Sequence, residues 1–169
     1  MSKILFKEEQ KFTQWWLWLL LLSPLAVLIY SIFEPIFSEA GFTEGNYSFL
    51  NSTSSDFWIP FFILLSILLL FMLLKLKTEI TKERISMRYF PLFSKEWLWI
   101  DIEKAEVINY GFVGYGIRIS LKHGMVYNVK GTKGLALLLK NGKKIVLGTQ
   151  RPEELEHILR RILNNDVTD

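Results

Sequence analysis

Two long apolar runs dominate the first half of the chain. The second run covers residues 57–74, which are eighteen residues without a charge. The first run covers residues 12–33 and opens on Trp15, Trp16 and Trp18, a residue type that favours the membrane interface. At about 1.5 Å per residue an eighteen-residue helix is ~27 Å long, close to the thickness of a bilayer's hydrocarbon. The pattern therefore predicts two transmembrane helices, at 12–33 and 57–74.

After residue 74 the apolar residues recur at every second position, which is typical of half-buried strands. Alternating segments occur near residues 75–81, 85–89, 97–102, 107–110, 117–121, 125–129, 135–139 and 145–147. Asn141-Gly142 is a strong hairpin signal, since both residues accept a positive φ. Residues 150–164 return to a helical period and carry one apolar stripe, formed by Leu155, Ile158, Leu159 and Ile162. These patterns predict about seven strands in a small antiparallel barrel or sandwich, capped by the C-terminal helix.

Charge divides the chain in the same places. Residues 12–74 contain no Lys or Arg and four acids, whereas basic residues occur on both flanks. Because positive residues favour the cytoplasmic side, both termini are expected to be cytoplasmic. The predicted organisation is a cytoplasmic N-terminal segment (1–11), helix 12–33, an extracytoplasmic loop (34–56), helix 57–74, a cytoplasmic domain (75–164) and a tail (165–169). A secretory signal peptide is the alternative for the first run, but about nineteen apolar residues exceed a signal core of about 7–15.

Residue types that carry chemistry are sparse. The chain has no cysteine, which excludes disulfides and thiolate sites. His123 and His157 are isolated, and Glu153 with His157 at a spacing of four is more typical of a surface pair than of catalysis. We therefore expect no catalytic residues, no metal and no cofactor, and the protein is predicted not to be an enzyme. Nucleic acid is not an expected partner, because the basic residues are scattered.

Two sets of residues are candidates for binding. Trp97 and Trp99 are predicted to share one face of the third strand, which is covered by the core or the C-terminal helix, or else faces the membrane or a partner. Tyr115 and Arg118 follow a glycine-rich turn and complete the candidate binding surface. The second set is basic and lies directly after the second apolar run: Lys75, Lys77, Lys82 and Arg84. Such a cluster attracts anionic lipid headgroups by about 1 kcal/mol per charge.

Several segments resemble one bacterial family. They are Trp99-Ile100-Asp101-Ile102, the stretch Gly114 to Arg118, Gly131-Thr132-Lys133-Gly134, and the stretch Asn141 to Leu155. Together with two predicted spans, they resemble the membrane-anchored bacterial pleckstrin-homology-like (PH-like) domain family. The resemblance implies two near-orthogonal sheets with a capping helix, in an α+β protein of the bacterial inner membrane that crosses it twice. It implies no ligand, since a fold alone does not carry a function.

Three functions are compatible with these predictions. The first is a non-catalytic, membrane-tethered interaction or scaffolding module whose partner is a second copy of the chain or another membrane protein. Its binding surface would be an open sheet edge or the aromatic face of the third strand. The second is a module that binds anionic lipid headgroups through Lys82, Arg84 and Arg118. The third is an accessory subunit of a membrane enzyme or transporter.

Overall fold

The computed structural model describes residues 3–37, 55–111 and 114–165. These residues form two compact units. One contains residues 1–12 together with residues 74–169, and the other contains residues 13–73. The second unit is therefore an insertion in the first, because the chain leaves the first unit after Phe12 and returns to it at Leu74.

The inserted unit is helical. Its described elements are α1 (Trp15–Phe37) and α2 (Ser55–Leu73), which contact each other. Ser23 and Ser66 each donate a hydroxyl hydrogen bond to a carbonyl three residues earlier, Leu20 and Ile63 respectively. Most of the predicted extracytoplasmic loop at 34–56 falls outside the described residues, as does all but the first residue of the predicted tail at 165–169.

The prediction of two transmembrane helices is wrong, because the helices that the structure describes do not meet the length and hydropathy of a membrane span. Within the described part of the chain, no helix has an apolar stretch long enough to cross a membrane. The same finding contradicts the rest of the membrane interpretation: the two-span fold class, the integral membrane partner, and the placement as a multi-pass inner-membrane protein with cytoplasmic termini.

The other unit contains a four-stranded antiparallel sheet in the order β1-β2-β3-β4. Its strands are β1 (Ile4–Lys11), β2 (Lys75–Thr81), β3 (Arg84–Phe90) and β4 (Phe93–Leu98). The sequence predicts β2 and β3 correctly, including the turn between them. It does not predict β1. Among the buried positions of this strand Phe6 is apolar, whereas Glu8 and Gln10 are polar. One apolar residue on the inward face gives no hydrophobic signal of a strand.

The second sheet has five strands in the order β5-β8-β9-β7-β6. Their bounds are β5 (Ile102–Asn109), β6 (Gly116–Ser120), β7 (Gly124–Asn128), β8 (Lys133–Leu139) and β9 (Lys144–Gly148). The described residues therefore form nine strands rather than about seven. The sheet is also not wholly antiparallel, since β7 and β9 pair in parallel. This pairing joins strands from two different hairpins, and sequence periodicity contains no information about it.

The β8–β9 hairpin forms at Asn141-Gly142 as predicted, but with a longer loop than a two-residue turn. The Gly142 N–H donates to the Leu139 carbonyl at 2.8 Å, and the Leu139 N–H donates to the Lys143 carbonyl at 2.9 Å. Gly142 has a φ of +78°. The loop is thus a three-residue connection with glycine in the left-handed position, which is a common alternative to the type I′ turn.

The core lies between the two sheets and under the C-terminal helix, α3 (Pro152–Asn165). Its fully buried side chains include Leu76, Ile80, Ile85, Met87, Leu135, Leu137, Leu147 and Leu155. The helix contacts β5, β8 and β1, and buries three residues of the predicted stripe, Leu155, Leu159 and Ile162. The predicted capping helix is confirmed at the level of its position, its period and its buried face.

Candidate functional site

The two tryptophans of the predicted binding surface lie on different elements. Trp97 is in β4 opposite Ile85 and is half-buried. Trp99 begins a short 3-10 helix at Trp99–Asp101 that ends the predicted third strand. Its indole N–H donates to the Thr81 carbonyl at 2.9 Å. The prediction that both rings belong to one strand is therefore wrong, because the strand ends at Leu98 and the 3-10 helix begins at Trp99.

Tyr115 and Arg118 are brought together at the beginning of β6. The Arg118 Nε–H donates to the Tyr115 carbonyl at 3.0 Å. A Cβ added at Gly114 would lie 3.1 Å from Arg118 Nε, so the guanidinium group lies directly over this glycine. This hydrogen bond holds the Nε atom of Arg118 beside the turn. The arginine residue as a whole is exposed.

The predicted lipid-binding cluster is partly neutralised by two carboxylates, Glu9 and Glu96, that the sequence does not place near it. Lys77 and Lys75 lie 2.9 Å and 3.6 Å from Glu9 of β1. The hydrogen bond from Lys77 lowers the pKa of the Glu9 carboxyl, and the charges of Lys75 and Lys11 add to this effect. Arg84 forms an ion pair with Glu96 of β4 at 2.9 Å. Three of the four predicted contacts thus have partners within the fold, whereas Lys82 lies in the turn after β2.

The most exposed apolar surface of the two-sheet unit is on β6. Ile117 and Ile119, which are 39% and 81% exposed, occupy alternate positions of β6 and share one face of the strand, and Leu121, which is 106% exposed, begins the turn that follows. We call these three residues the β6 row. β6 is the last strand of its sheet, so one side of its backbone has no strand partner among the described residues. The sequence predicts this strand correctly but predicts that its apolar residues are buried.

The β6 row continues into an aromatic cluster between the sheets. Ile117 lies opposite Tyr127 of β7. The Tyr127 ring meets Phe93 of β4 edge-on at 6.0 Å, and Phe93 stacks on Tyr89 of β3 at 6.1 Å. Burial raises the pKa of Tyr89 to about 12, so its hydroxyl is protonated at neutral pH. The cluster is therefore an uncharged aromatic part of the core, with Tyr89 and Tyr127 buried and Phe93 half-buried, next to the exposed row.

Lys95 provides the positive charge of this region. Its ammonium group donates to the Tyr127 hydroxyl at 2.8 Å and lies 5.3 Å from the centre of the Tyr127 ring. It also lies 5.7 Å from the Phe93 ring centre, a distance typical of a cation–π contact. Lys95 therefore connects β4 of one sheet to β7 of the other at the border of the exposed row.

The chain around β6 is strongly basic. Between Glu106 and Glu153 there is no acidic residue, while eight basic residues occur in that stretch. They are Arg118, Lys122, Lys130, Lys133, Lys140, Lys143, Lys144 and Arg151. This stretch contains all four strands of the second sheet apart from β5. An acidic partner is therefore favoured over a basic one at this sheet.

The described residues do not assemble a recognisable catalytic centre. Among them, no group of three or more His, Asp or Glu side chains is close enough to hold a metal ion. His123 lies in the turn after β6 and His157 is exposed on α3. What the arrangement offers chemically is an apolar strand edge, an aromatic border and positive charge, which suit binding.

No family model, curated protein or solved structure matches this chain. The resemblance to PH-like domains accordingly stays a prediction, and the function is argued below from the geometry.

Proposed function

We propose that the two-sheet unit is a non-catalytic interaction module that binds an extended segment of a partner protein along β6. The single observation that carries this proposal is the β6 row: two large apolar side chains exposed on an edge strand, and a third in the turn that follows it. An edge strand presents unpaired N–H and C=O groups, and an added strand satisfies them with main-chain hydrogen bonds. Monomeric proteins usually protect such an edge with charges or prolines, so its apolar side chains here favour a binding role.

The chemistry of the surface indicates the sequence character of the partner segment. Apolar side chains at alternate positions would pack on Ile117 and Ile119 and reach the aromatic cluster next to Tyr127. Acidic side chains at the positions between them would meet the basic stretch that contains Arg118 and Lys122. An extended segment in which apolar and acidic residues alternate is therefore the ligand that fits best.

A lipid-headgroup function receives less support from the same geometry. Ion pairs with Glu9 and Glu96 occupy Lys75, Lys77 and Arg84, which reduces the positive charge available for an anionic headgroup. Arg118 lies on β6, in the other sheet from Lys82 and Arg84. The interaction module is therefore the better-supported of the functions that the sequence leaves open.

Binding of a fluorescein-labelled peptide of alternating valine and glutamate to the full-length protein tests the proposal. Ile119→Lys should raise the Kd at least tenfold, because it replaces a contact worth roughly 1.5–3 kcal/mol of apolar burial with a charge. Ile100→Lys is the matched control: Ile100 is 71% exposed but lies in the 3-10 helix, and its change should leave the Kd within twofold.

Two further peptides distinguish strand addition from general stickiness. A peptide of alternating valine and lysine should bind more weakly, and one with a central proline should lose binding because proline cannot donate to the ladder. Equal affinities of the Ile119→Lys and Ile100→Lys proteins for the valine–glutamate peptide would overturn the assignment to β6.

A further inference from the structure

A cavity of about 480 Å³ lies on the face of the second sheet that points away from the sheet-to-sheet core. Its floor includes Ile108 of β5, Ala136 of β8 and Val146 of β9. Ala136 is the register partner of both Val146 and Glu106, so the floor is formed by side chains that are neighbours across three strands. A volume of this size lies in the range of about 300–1,000 Å³ that is usual for small-molecule sites.

The floor is apolar because a second, small hydrophobic cluster lies on this face. Tyr110, Val126 and Val146 are buried in it, and Ile108 and Ala136 pack against them while staying partly exposed. Gly134 makes room for the tyrosine ring, since a Cβ there would lie 3.0 Å from Tyr110 Cε1. Tyr110 thus covers one end of the face, and the apolar surface next to it remains open.

The rim of the cavity is positively charged. Lys122 and His123, in the turn after β6, lie on it together with Lys144, the first residue of β9. On the β5 side, Lys104 is paired with Glu106 at 2.8 Å. Within the described residues Lys122 and Lys144 form no ion pair with an acidic side chain. The free positive charge of the rim is therefore on the side of Lys122 and Lys144.

The backbone holds these two lysines close together. Gly124 follows the turn with a φ of +70°, and a Cβ at this position would lie 2.2 Å from the Lys144 carbonyl oxygen. Only a glycine allows the turn to approach β9 so closely. The parallel pairing of Met125 with Ile145 begins at the next residue and fixes the approach. The sheet thus holds the turn that carries Lys122 next to the backbone of Lys144.

We propose that this cavity binds an amphipathic organic anion, namely an aliphatic carboxylate whose chain lies on Ile108 and Ala136, the two partly exposed residues of the floor. Its carboxylate is held by Lys122 and Lys144. The apolar floor favours a hydrocarbon body and the unpaired lysines favour a negative head group, so the two parts of the site select the two parts of one molecule. This site is on a different face from the β6 row and does not depend on the function proposed there.

Decanoate is a suitable probe, and its binding to the full-length protein can be measured by isothermal titration calorimetry. The double variant K122Q/K144Q should raise the Kd of decanoate about tenfold, because it removes two partly exposed charge contacts of modest strength. The variant K82Q/K130Q removes the same charge elsewhere and should bind as the wild type does. A136F fills the floor of the cavity, and it should abolish the site while the K82Q/K130Q control retains it.

A photoreactive diazirine analogue of decanoate locates the binding independently of affinity. Crosslinks are expected on the peptides that contain residues 104–109, 122–126 and 136–146, and excess decanoate should suppress them more strongly than decanol does. Crosslinks confined to other peptides, equal binding of decanol and decanoate, or an unchanged Kd in both K122Q/K144Q and A136F would each overturn the proposal.

Discussion

Glu8 shows how one buried carboxylate organises the end of the second sheet. It is 6% exposed, and its two oxygens accept hydrogen bonds from the Thr149 hydroxyl at 2.6 Å and the Gln150 N–H at 2.8 Å. Gln10, two residues further along β1, donates its side-chain amide to the Gly148 carbonyl at 2.7 Å. The polar side chains of β1 therefore bind the backbone that leads from β9 into α3.

At the residue scale we predict that Glu8→Ala destabilises the two-sheet unit by about 1–3 kcal/mol. The change leaves the Thr149 hydroxyl and the Gln150 N–H without their acceptor in a buried place, and an unmade buried hydrogen bond costs this much. Urea denaturation of the full-length protein, followed by intrinsic fluorescence, measures the change. Glu9→Ala is the control, because Glu9 lies on the outer face and its ion pairs are exposed, so its loss should change the stability much less than that of Glu8. Equal effects of the two variants would show that the Glu8 contacts do not stabilise the fold.

At the scale of elements, α3 and β6 use their apolar residues in opposite ways. Both carry apolar side chains at the spacing of their secondary structure. On α3 the stripe packs on β5, β8 and β1, whereas the β6 row stays exposed because β6 is the last strand of its sheet. The period of a pattern therefore identifies the element, but the position of the element in the sheet decides whether its apolar face is covered.

For α3 we expect Leu159→Ala to destabilise the unit by about 2–5 kcal/mol. Leu159 is 3% exposed, and its truncation leaves a cavity between the helix and the sheets. Leu163→Ala is the matched control, since Leu163 is on the same helix but 43% exposed, and its cost should be well below that of Leu159→Ala. Thermal unfolding monitored by circular dichroism compares the two. A similar melting temperature for both variants would mean that the stripe does not anchor α3.

At the scale of the whole molecule, the chain order is the unexpected feature. β1 precedes the helical unit in the sequence, yet it pairs with β2 after that unit, and Lys11 lies opposite Lys75. The helices are thus inserted between the two strands of a β-hairpin. Phe6 and Phe12, which are 2% and 7% exposed, belong to the core of the two-sheet unit although sixty residues separate them from β2.

The chain order predicts that a fragment of residues 74–169 does not fold cooperatively, because it lacks β1 and leaves β2 as an uncovered edge. Joining residues 3–12 to this fragment through a short glycine–asparagine turn should restore a cooperative unfolding transition, since Lys11 and Lys75 are already paired. Thermal melts and the binding of a hydrophobic dye measure both proteins. A cooperative melt of the fragment alone, at the temperature of the joined protein, would contradict a structural role for β1.

Most of the local structure between residues 75 and 165 follows from the amino-acid pattern alone, with the exception of β4, the 3-10 helix and β5 at residues 93–109. The alternation of apolar residues locates β2, β3, β6, β7, β8 and β9, Asn141-Gly142 locates a hairpin, and the stripe of α3 identifies both the helix and its buried face. These features follow from periods of two and 3.6 residues, which depend only on neighbours along the chain.

Only the tertiary structure decided the rest. It added β1, whose inward Glu8 and Gln10 lack a hydrophobic signal; residues 148–150 donate to the Glu8 carboxylate and accept from the Gln10 side-chain N–H. It paired Lys77 with Glu9, separated Trp97 from Trp99, and left Ile119 exposed at a sheet edge. Each of these depends on partners distant in sequence, and long-range pairing is set by the packing of the whole fold rather than by the pattern within any one segment.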